Sequence, residues 1–151
     1  MRASLVGTAV TLAAGALLTA AMTTASASPP DATAPKADLP RPVLVDCLWH
    51  RDVRPADFIL ACGDGNSRLL GLHWSQWGPN AATAVGVNAV NDCKPYCAAG
   101  TFHSYRVTVR LDRPQPWKKD PDVQHYTRMI LTYQGARPDG FQQVVTYPLW
   151  D

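Results

Sequence analysis

The sequence predicts an all-β domain, an antiparallel β-sandwich or small barrel of about seven strands that is stapled by disulfides. Three observations support this fold class. The chain has no glutamate and only four lysines beside ten arginines, so two good helix formers are scarce. Short runs with strand character alternate with turn residues. No segment keeps a helical period for longer than two turns.

Residues 1–27 have the three-part pattern of a secretory signal peptide. Arg2 supplies the positive charge, a run of small and apolar residues follows, and the triplet Ala25-Ser26-Ala27 provides a cleavage site. We therefore expect export, cleavage after Ala27 and no membrane segment in the mature chain. A retained membrane helix is the alternative, since the apolar run from Leu5 to Met22 spans 18 residues.

Residues 28–42 are predicted to form a proline-rich flexible linker, because they contain five prolines and few residues that could join a core. Residues 43–151 are then expected to form a single β domain. After cleavage the chain keeps 13 Lys and Arg against 12 Asp, a formal charge of +1. A balance so close to neutral gives no support for nucleic-acid binding.

The strand prediction begins with the short run V-L-V-D-C-L-W. The runs F-I-L-A-C and S-R-L-L-G-L-H-W flank the Asp64-Gly65 turn and predict a first hairpin. The clearest strand follows, because apolar and polar residues alternate over residues 105–112. Its apolar face consists of Tyr105, Val107, Val109 and Leu111.

Weaker alternation predicts three more strands. The residues that share a face are Val85, Val87 and Ala89 in the first, Met129, Leu131 and Tyr133 in the second, and Val145, Tyr147 and Leu149 in the third. Pro148 indicates that the last strand lies at an edge of its sheet or ends there.

The four cysteines are expected to form two disulfides, because an exported chain folds where thiols oxidise. Their spacing fits no zinc-site pattern and the close pair is not C-x-x-C, so neither a metal site nor redox catalysis is favoured. Four cysteines permit three pairings. Our preferred one joins Cys47 to Cys62, closing a loop worth about 3 kcal/mol, and Cys93 to Cys97, closing a very short loop.

Four separated motifs resemble, in order, a group of small secreted actinobacterial β-rich proteins of unknown function. These motifs are L-A-C-G-D-G-N, L-H-W-S-Q-W-G, N-D-C-K-P-Y-C-A-A-G-T-F-H-S-Y and T-Y-Q-G-A-R-P-D-G-F. The resemblance implies a signal peptide, cysteines in these contexts and a β-rich domain over roughly residues 47–149. It implies no activity, and no functional residue is carried over from it.

Three residues are predicted to contact a ligand, Trp77, Lys94 and Tyr96. Trp74, in phase with Leu70 and Leu72, is predicted to be core, whereas Trp77 precedes Gly-Pro and is predicted near the surface, where an indole can stack on a ligand. We expect a monomer in which one end of the sandwich, carrying the 91–97 loop with Trp77 as a further candidate, binds an unknown extracellular or cell-wall ligand.

Three other functions remain open. A protease inhibitor would present the loop 93–97. A small hydrolase would use an unrecognised His/Asp site, although His103 and Ser104 point to opposite faces of a strand and no G-x-S-x-G or H-E-x-x-H motif is present. The histidines available to it are His50, His73, His103 and His125. Loop-bound calcium at Asn91-Asp92 or at Asp120 and Asp122 is also possible, although the prediction includes no metal and no cofactor.

Overall fold

The structure, a computed structural model, describes residues 41–150. The predicted signal peptide 1–27 and residues 28–40 of the predicted linker lie outside the described residues. The described part contains eight strands and one short 3-10 turn, Cys97–Ala99. The strands are β1 (Leu44–Val45), β2 (Arg51–Asp52), β3 (Phe58–Ile59), β4 (Ser67–Trp77), β5 (Ala81–Asn91), β6 (Phe102–Trp117), β7 (Asp120–Tyr133) and β8 (Val144–Pro148).

Strands β3 to β8 form one antiparallel sheet in chain order, and this six-stranded sheet curls into a half-barrel. Strands β1 and β2 form a second, two-stranded antiparallel sheet. The prediction of an all-β, antiparallel, disulfide-stapled fold is confirmed. Eight strands are present where about seven were predicted, because β2 is only two residues long and too short to produce an alternation signal.

The edges of the curled sheet are largely covered. Strand β8 pairs with residues 128–132 of β7, and Val43 bridges the same edge of β7 at His125 in parallel orientation. Pro148 lies in β8, the last strand of the sheet, as predicted, where a missing backbone N–H costs no ladder hydrogen bond. The rings of Phe58 in β3 and Trp150 after β8 stack with centroids 6.0 Å apart. The two ends of the open sheet therefore meet through side chains.

The core lies on the concave face of the half-barrel. The predicted alternation of β6 is confirmed, since Val107, Val109 and Leu111 are at most 1% exposed. Their partners in β7 are Tyr133, Leu131 and Met129, which are buried too. These three residues share one face, as predicted. Each such side chain stabilises the fold by about 1.5–3 kcal/mol through removal of apolar surface from water.

The residues of β5 that were predicted to share a face, Val85, Val87 and Ala89, do lie on one face of the sheet. That face is the outer one, and Val85 is 55% exposed. The inward positions of β5 are Ala82, Ala84, Gly86 and Asn88. They are small because β4 packs closely on them: a Cβ at Gly86 would lie 2.9 Å from Leu72 Cδ2. Large side chains of the neighbouring strands fill the interior opposite the middle of β5, so Val85 and Val87 are turned outward.

Asn88 is completely buried among these apolar side chains and is held by three hydrogen bonds. Its amide nitrogen donates to Ser67 Oγ at 3.1 Å and to the Arg68 carbonyl at 3.2 Å. Its amide oxygen accepts from the Tyr133 hydroxyl at 2.8 Å. Burial raises the pKa of Tyr133, which keeps the phenol protonated as the donor. The network fixes the register of β4, β5 and β7 at one level of the core.

Trp77 is buried, so the prediction that it lies near the surface is wrong. Its side chain is 4% exposed and its indole N–H donates to the Pro42 carbonyl at 2.9 Å. The cause is a pair of β-bulges in β4, each of which inserts one residue and shifts the inward phase. The inward positions of β4 are therefore Leu69, Leu72, Trp74 and Trp77. Trp74 packs against the core, as predicted, but in phase with Leu69 rather than Leu70.

Both disulfides have the preferred pairing. Cys47 is bonded to Cys62 with Cα atoms 5.5 Å apart, and Cys93 is bonded to Cys97 with Cα atoms 3.7 Å apart. The first connects the segment after β1 to the loop between β3 and β4. The second closes a loop between β5 and β6.

Candidate functional site

A cleft of about 370 Å³ opens where the concave face of the half-barrel meets two loops. We call it the mouth cleft. Its floor comes from inward positions at the end of β5 and the start of β6, and its walls come from the disulfide loop and the β7–β8 connection. Its lining residues are Val90, Asn91, Asp92, Lys94, His103, Tyr105, Pro138, Asp139 and Phe141.

Asn91 anchors the disulfide loop to the sheet. Its side-chain nitrogen donates to Asn66 Oδ1 at 2.9 Å and to the Cys97 carbonyl at 2.8 Å, and its oxygen accepts the Cys93 N–H at 3.0 Å. A Cβ at Gly100 would lie 2.0 Å from that oxygen, so only glycine fits there. These contacts give the wall of the mouth cleft a defined shape.

Asp92 and His103 form the polar centre of the mouth cleft. Asp92 Oδ2 lies 2.9 Å from His103 Nε2, and Asp92 Oδ1 accepts the N–H groups of Thr101 at 2.9 Å and of Lys94 at 3.1 Å. The Thr101 N–H, then His103, then the Lys94 N–H lower the pKa of Asp92 to about 2. The carboxylate is therefore ionised at neutral pH and fixes the orientation of the His103 ring.

This pKa shift predicts a pH dependence of stability. Because the folded-state pKa of Asp92 lies below the usual 3.8, its contribution is complete above about pH 4 and is lost as the pH falls through about 2. We expect Asp92→Asn to melt below the wild type at pH 7, with a difference that shrinks towards pH 2. Thermal melts across this range measure it, with Asp139→Asn, an exposed carboxylate of the other wall, as the control. A difference that stays constant from pH 7 to pH 2 would contradict the assignment.

Lys94 and Asp139 face each other across the opening, with Lys94 Nζ 3.7 Å from Asp139 Oδ2. Their side chains are 75% and 101% exposed, so solvent screens the pair and it contributes little to stability. The contact therefore opposes ligand entry only weakly.

Aromatic rings form the apolar side of the mouth cleft. Tyr105 and Phe141 each make an edge-to-face contact with the buried Tyr133, with centroids 6.2 Å apart in both pairs. These contacts hold Tyr105 and Phe141 in place although both remain partly accessible. The site thus combines a rigid aromatic surface with fixed polar groups.

The structure separates the three predicted ligand-binding residues. Lys94 lines the mouth cleft, whereas Tyr96 lies on the outside of the disulfide loop and is 63% exposed. Trp77 pairs with Ala82 at the other end of β5, about 30 Å along the strand from Asn91. The expectation that Trp77 and the 91–97 loop share one end of the sheet is therefore wrong, because β5 runs the full length of the sheet between them.

Of the nine lining residues only Lys94 was in the predicted binding set. The residues missing from it that shape the site are Asp92, His103, Tyr105, Asp139 and Phe141. His103 was considered only for hydrolysis beside Ser104, and the structure does place these two on opposite faces of β6. The alternation of β6 already put His103 in phase with Tyr105. Its partner Asp92 is 11 residues away across the disulfide loop, and only the β5–β6 register brings them together.

Several of the oxygens considered for calcium have protein partners. Both carboxylate oxygens of Asp92 accept hydrogen bonds, and Asp120 Oδ2 accepts from Arg51 at 2.9 Å. Within residues 41–150 no group of three or more histidine, cysteine or acidic side chains is placed to hold a metal ion.

No protein-family model, no curated protein and no solved structure matches the chain. The described residues include no helix that is long and apolar enough to cross a bilayer.

Proposed function

We propose that the protein is a secreted, monomeric binding module that holds an extracellular or cell-wall ligand in the mouth cleft. The observation that carries this proposal is the fixed Asp92–His103 pair beside the Tyr105 and Phe141 rings. Mouths of curled β-sheets are common ligand sites, and binding pockets combine aromatic walls with a few placed polar groups. The signal-peptide pattern of residues 1–27 and the two disulfides support export.

The contacts of His103 suggest how a ligand is recognised. When Nε2 donates to Asp92, the neutral ring carries its lone pair on Nδ1, which can accept a hydrogen bond from a ligand hydroxyl or amide. The His103 side chain is 49% exposed, so the ring is open to solvent and to a ligand in the cleft. Lys94 adds a cation at the rim, and the aromatic side takes an apolar face of the ligand.

The proposal predicts that His103→Ala captures less ligand than the wild type. Immobilised full-length secreted protein is incubated with culture medium and with solubilised cell-wall material, and the retained compounds are identified by mass spectrometry. Removing His103 leaves the ligand's polar group without its partner, which costs about 1–3 kcal/mol and corresponds to about tenfold or more in affinity. Lys119→Ala is the matched control, because Lys119 stacks on Trp49 outside the mouth cleft.

Tyr96→Ala distinguishes the mouth cleft from the tip of the disulfide loop. We expect its capture to equal that of the wild type. If Tyr96→Ala loses the ligand while His103→Ala keeps it, the tip is the contact surface and the proposal is wrong. That outcome would also favour the inhibitor hypothesis, which needs an exposed loop rather than a cleft.

A second candidate function, a small hydrolase, rests on the same Asp92–His103 pair, since an aspartate that orients a histidine is typical of general-base catalysis. No serine, threonine or free thiol lies among the lining residues, so the base would have to act on water. Turnover of the captured ligand by the wild type and its loss in His103→Ala would favour the hydrolase. Unchanged ligand would favour the binding module.

A further inference from the structure

The outer face of the curled sheet carries a concentration of positive charge that the overall composition conceals. Four arginines occupy outward positions of β4, β6 and β7, and we call them the arginine face: Arg68, Arg106, Arg110 and Arg128. The only carboxylate at an outward position of the strands β4 to β7 over this region is Asp112, which gives 4 − 1 = +3. The described residues carry 12 Lys and Arg against 9 Asp, a formal charge of +3, and the eight aspartates other than Asp112 lie elsewhere.

Local pairing leaves two of these arginines without a carboxylate. Arg128 binds Asp112 through two hydrogen bonds, at 2.6 and 2.7 Å, and Arg110 Nε lies 3.4 Å from the same carboxylate. Arg68 instead lies over the Phe102 ring, 4.5 Å from its centroid. Arg106 is exposed and forms no ion pair with any residue in the described range. Arg68 and Arg106 are therefore available to an anionic partner.

A shallow groove of about 610 Å³ lies beside Arg106. Its floor is aliphatic, formed by Val85 and Val87, and the β-bulge at Gly71 borders it. Val85 is 55% exposed, an unusual state for a large aliphatic side chain in the middle of a six-stranded sheet. The groove therefore offers apolar surface next to unpaired cations.

We propose that the arginine face and its groove bind an acidic polypeptide segment whose apolar side chains lie on Val85 and Val87. Carboxylates fit the planar guanidinium of arginine through two parallel hydrogen bonds. Polysaccharides recognised by proteins stack on exposed aromatic rings, but the Phe102 ring, on the outer face near the groove, already has the Arg68 guanidinium over one of its faces. Nucleic acid needs more phosphate contacts and stacking rings than this face provides. An acidic segment with aliphatic residues matches both the positive charge of the arginine face and the aliphatic floor of the groove.

The experiment uses full-length secreted protein and a fluorescein-labelled peptide of alternating aspartate and valine. A length of about ten residues spans about 30 Å when extended. Fluorescence anisotropy at low salt should give saturable binding that weakens as salt rises. The double variant Arg68→Gln/Arg106→Gln should lose about tenfold or more in affinity, and Val85→Ser should lose affinity at every salt concentration. Arg54→Gln, an exposed arginine outside the strands, and His103→Ala should bind like the wild type.

Three results would overturn the proposal. The first is absence of peptide binding at low salt. The second is equal binding by wild type and the double arginine variant. The third is tighter binding of polyaspartate, polyuronate or DNA than of the aspartate–valine peptide, which would assign the face to another polymer. His103→Ala changes only the mouth cleft and none of the arginines. If the peptide-binding experiment fails, the proposed function of the mouth cleft is therefore unaffected.

Discussion

Replacing Trp77 with alanine is expected to lower the free energy of unfolding by about 3–5 kcal/mol, the range for removal of a buried tryptophan. The indole is 4% exposed and makes edge-to-face contacts with Trp74 at 4.6 Å and Tyr126 at 5.5 Å. Its N–H donates to the Pro42 carbonyl, so the substitution also leaves that carbonyl without its donor. Trp77 thereby joins β4, β7 and the segment before β1.

Urea unfolding followed by circular dichroism measures this effect. Tyr96→Ala is the matched aromatic control, because Tyr96 is 63% exposed and its removal should change stability by less than about 0.5 kcal/mol. The opposite pattern would contradict the structure. If Trp77→Ala is as stable as the wild type but captures less ligand, Trp77 is an exposed binding residue.

The second large effect is expected for the longer disulfide. Replacing Cys47 and Cys62 together with serine should cost about 3 kcal/mol, since the bond closes a loop of 15 residues in the unfolded chain. The bond also connects the small β1–β2 sheet to the loop after β3. Without it, the contacts that still hold that sheet include the Val43 bridge to β7, the Arg51–Asp120 ion pair and the Trp150 indole N–H, which donates to the Asp46 carbonyl.

The double variant of Cys93 and Cys97 provides the comparison. Its loop has a separation of only four residues, so it restricts the unfolded chain less and should cost less stability. Urea unfolding of both double variants under oxidising conditions measures the difference. Equal losses, or a larger loss for the short loop, would show that the disulfides stabilise the protein in a way that loop entropy does not explain.

The sequence predicted those parts of the fold in which local periodicity decides the structure. The alternation of β6 was visible because Val107, Val109 and Leu111 face a continuous core with no interruption of the ladder. The first hairpin was visible because Asp64 and Gly65 have turn chemistry: the Asp64 carboxylate accepts the Asn66 N–H, and Gly65 has a φ of 68°.

The position of Trp77 could not be predicted because two bulges change the phase of β4. Gly71, with a φ of 57°, was a signal for the first bulge, since an isolated glycine inside a strand often marks one. The second bulge, between Trp74 and Gln76, has no glycine and no other local mark. Strict alternation from Trp74 would turn Trp77 outward, and the second insertion returns it to the inward phase of Leu69.

The mouth cleft was only partly predictable because its residues come from three separate parts of the chain. The disulfide loop was identified as a contact region, and Lys94 does line the cleft. Asp139 and Phe141 come from the β7–β8 connection, more than 40 residues later. They belong to the motif T-Y-Q-G-A-R-P-D-G-F, but that motif indicates neither a role nor a position in space. Only the curl of the sheet brings that connection over the inward ends of β5 and β6.

The affinity of the captured ligand for His103→Ala tests the central claim most directly. Isothermal titration of the purified ligand into wild type, His103→Ala and Lys119→Ala gives three dissociation constants. If the ligand lies in the mouth cleft, His103→Ala binds about tenfold or more weakly, while Lys119→Ala and the wild type agree. Equal dissociation constants for all three proteins, with His103→Ala folded, would contradict the account.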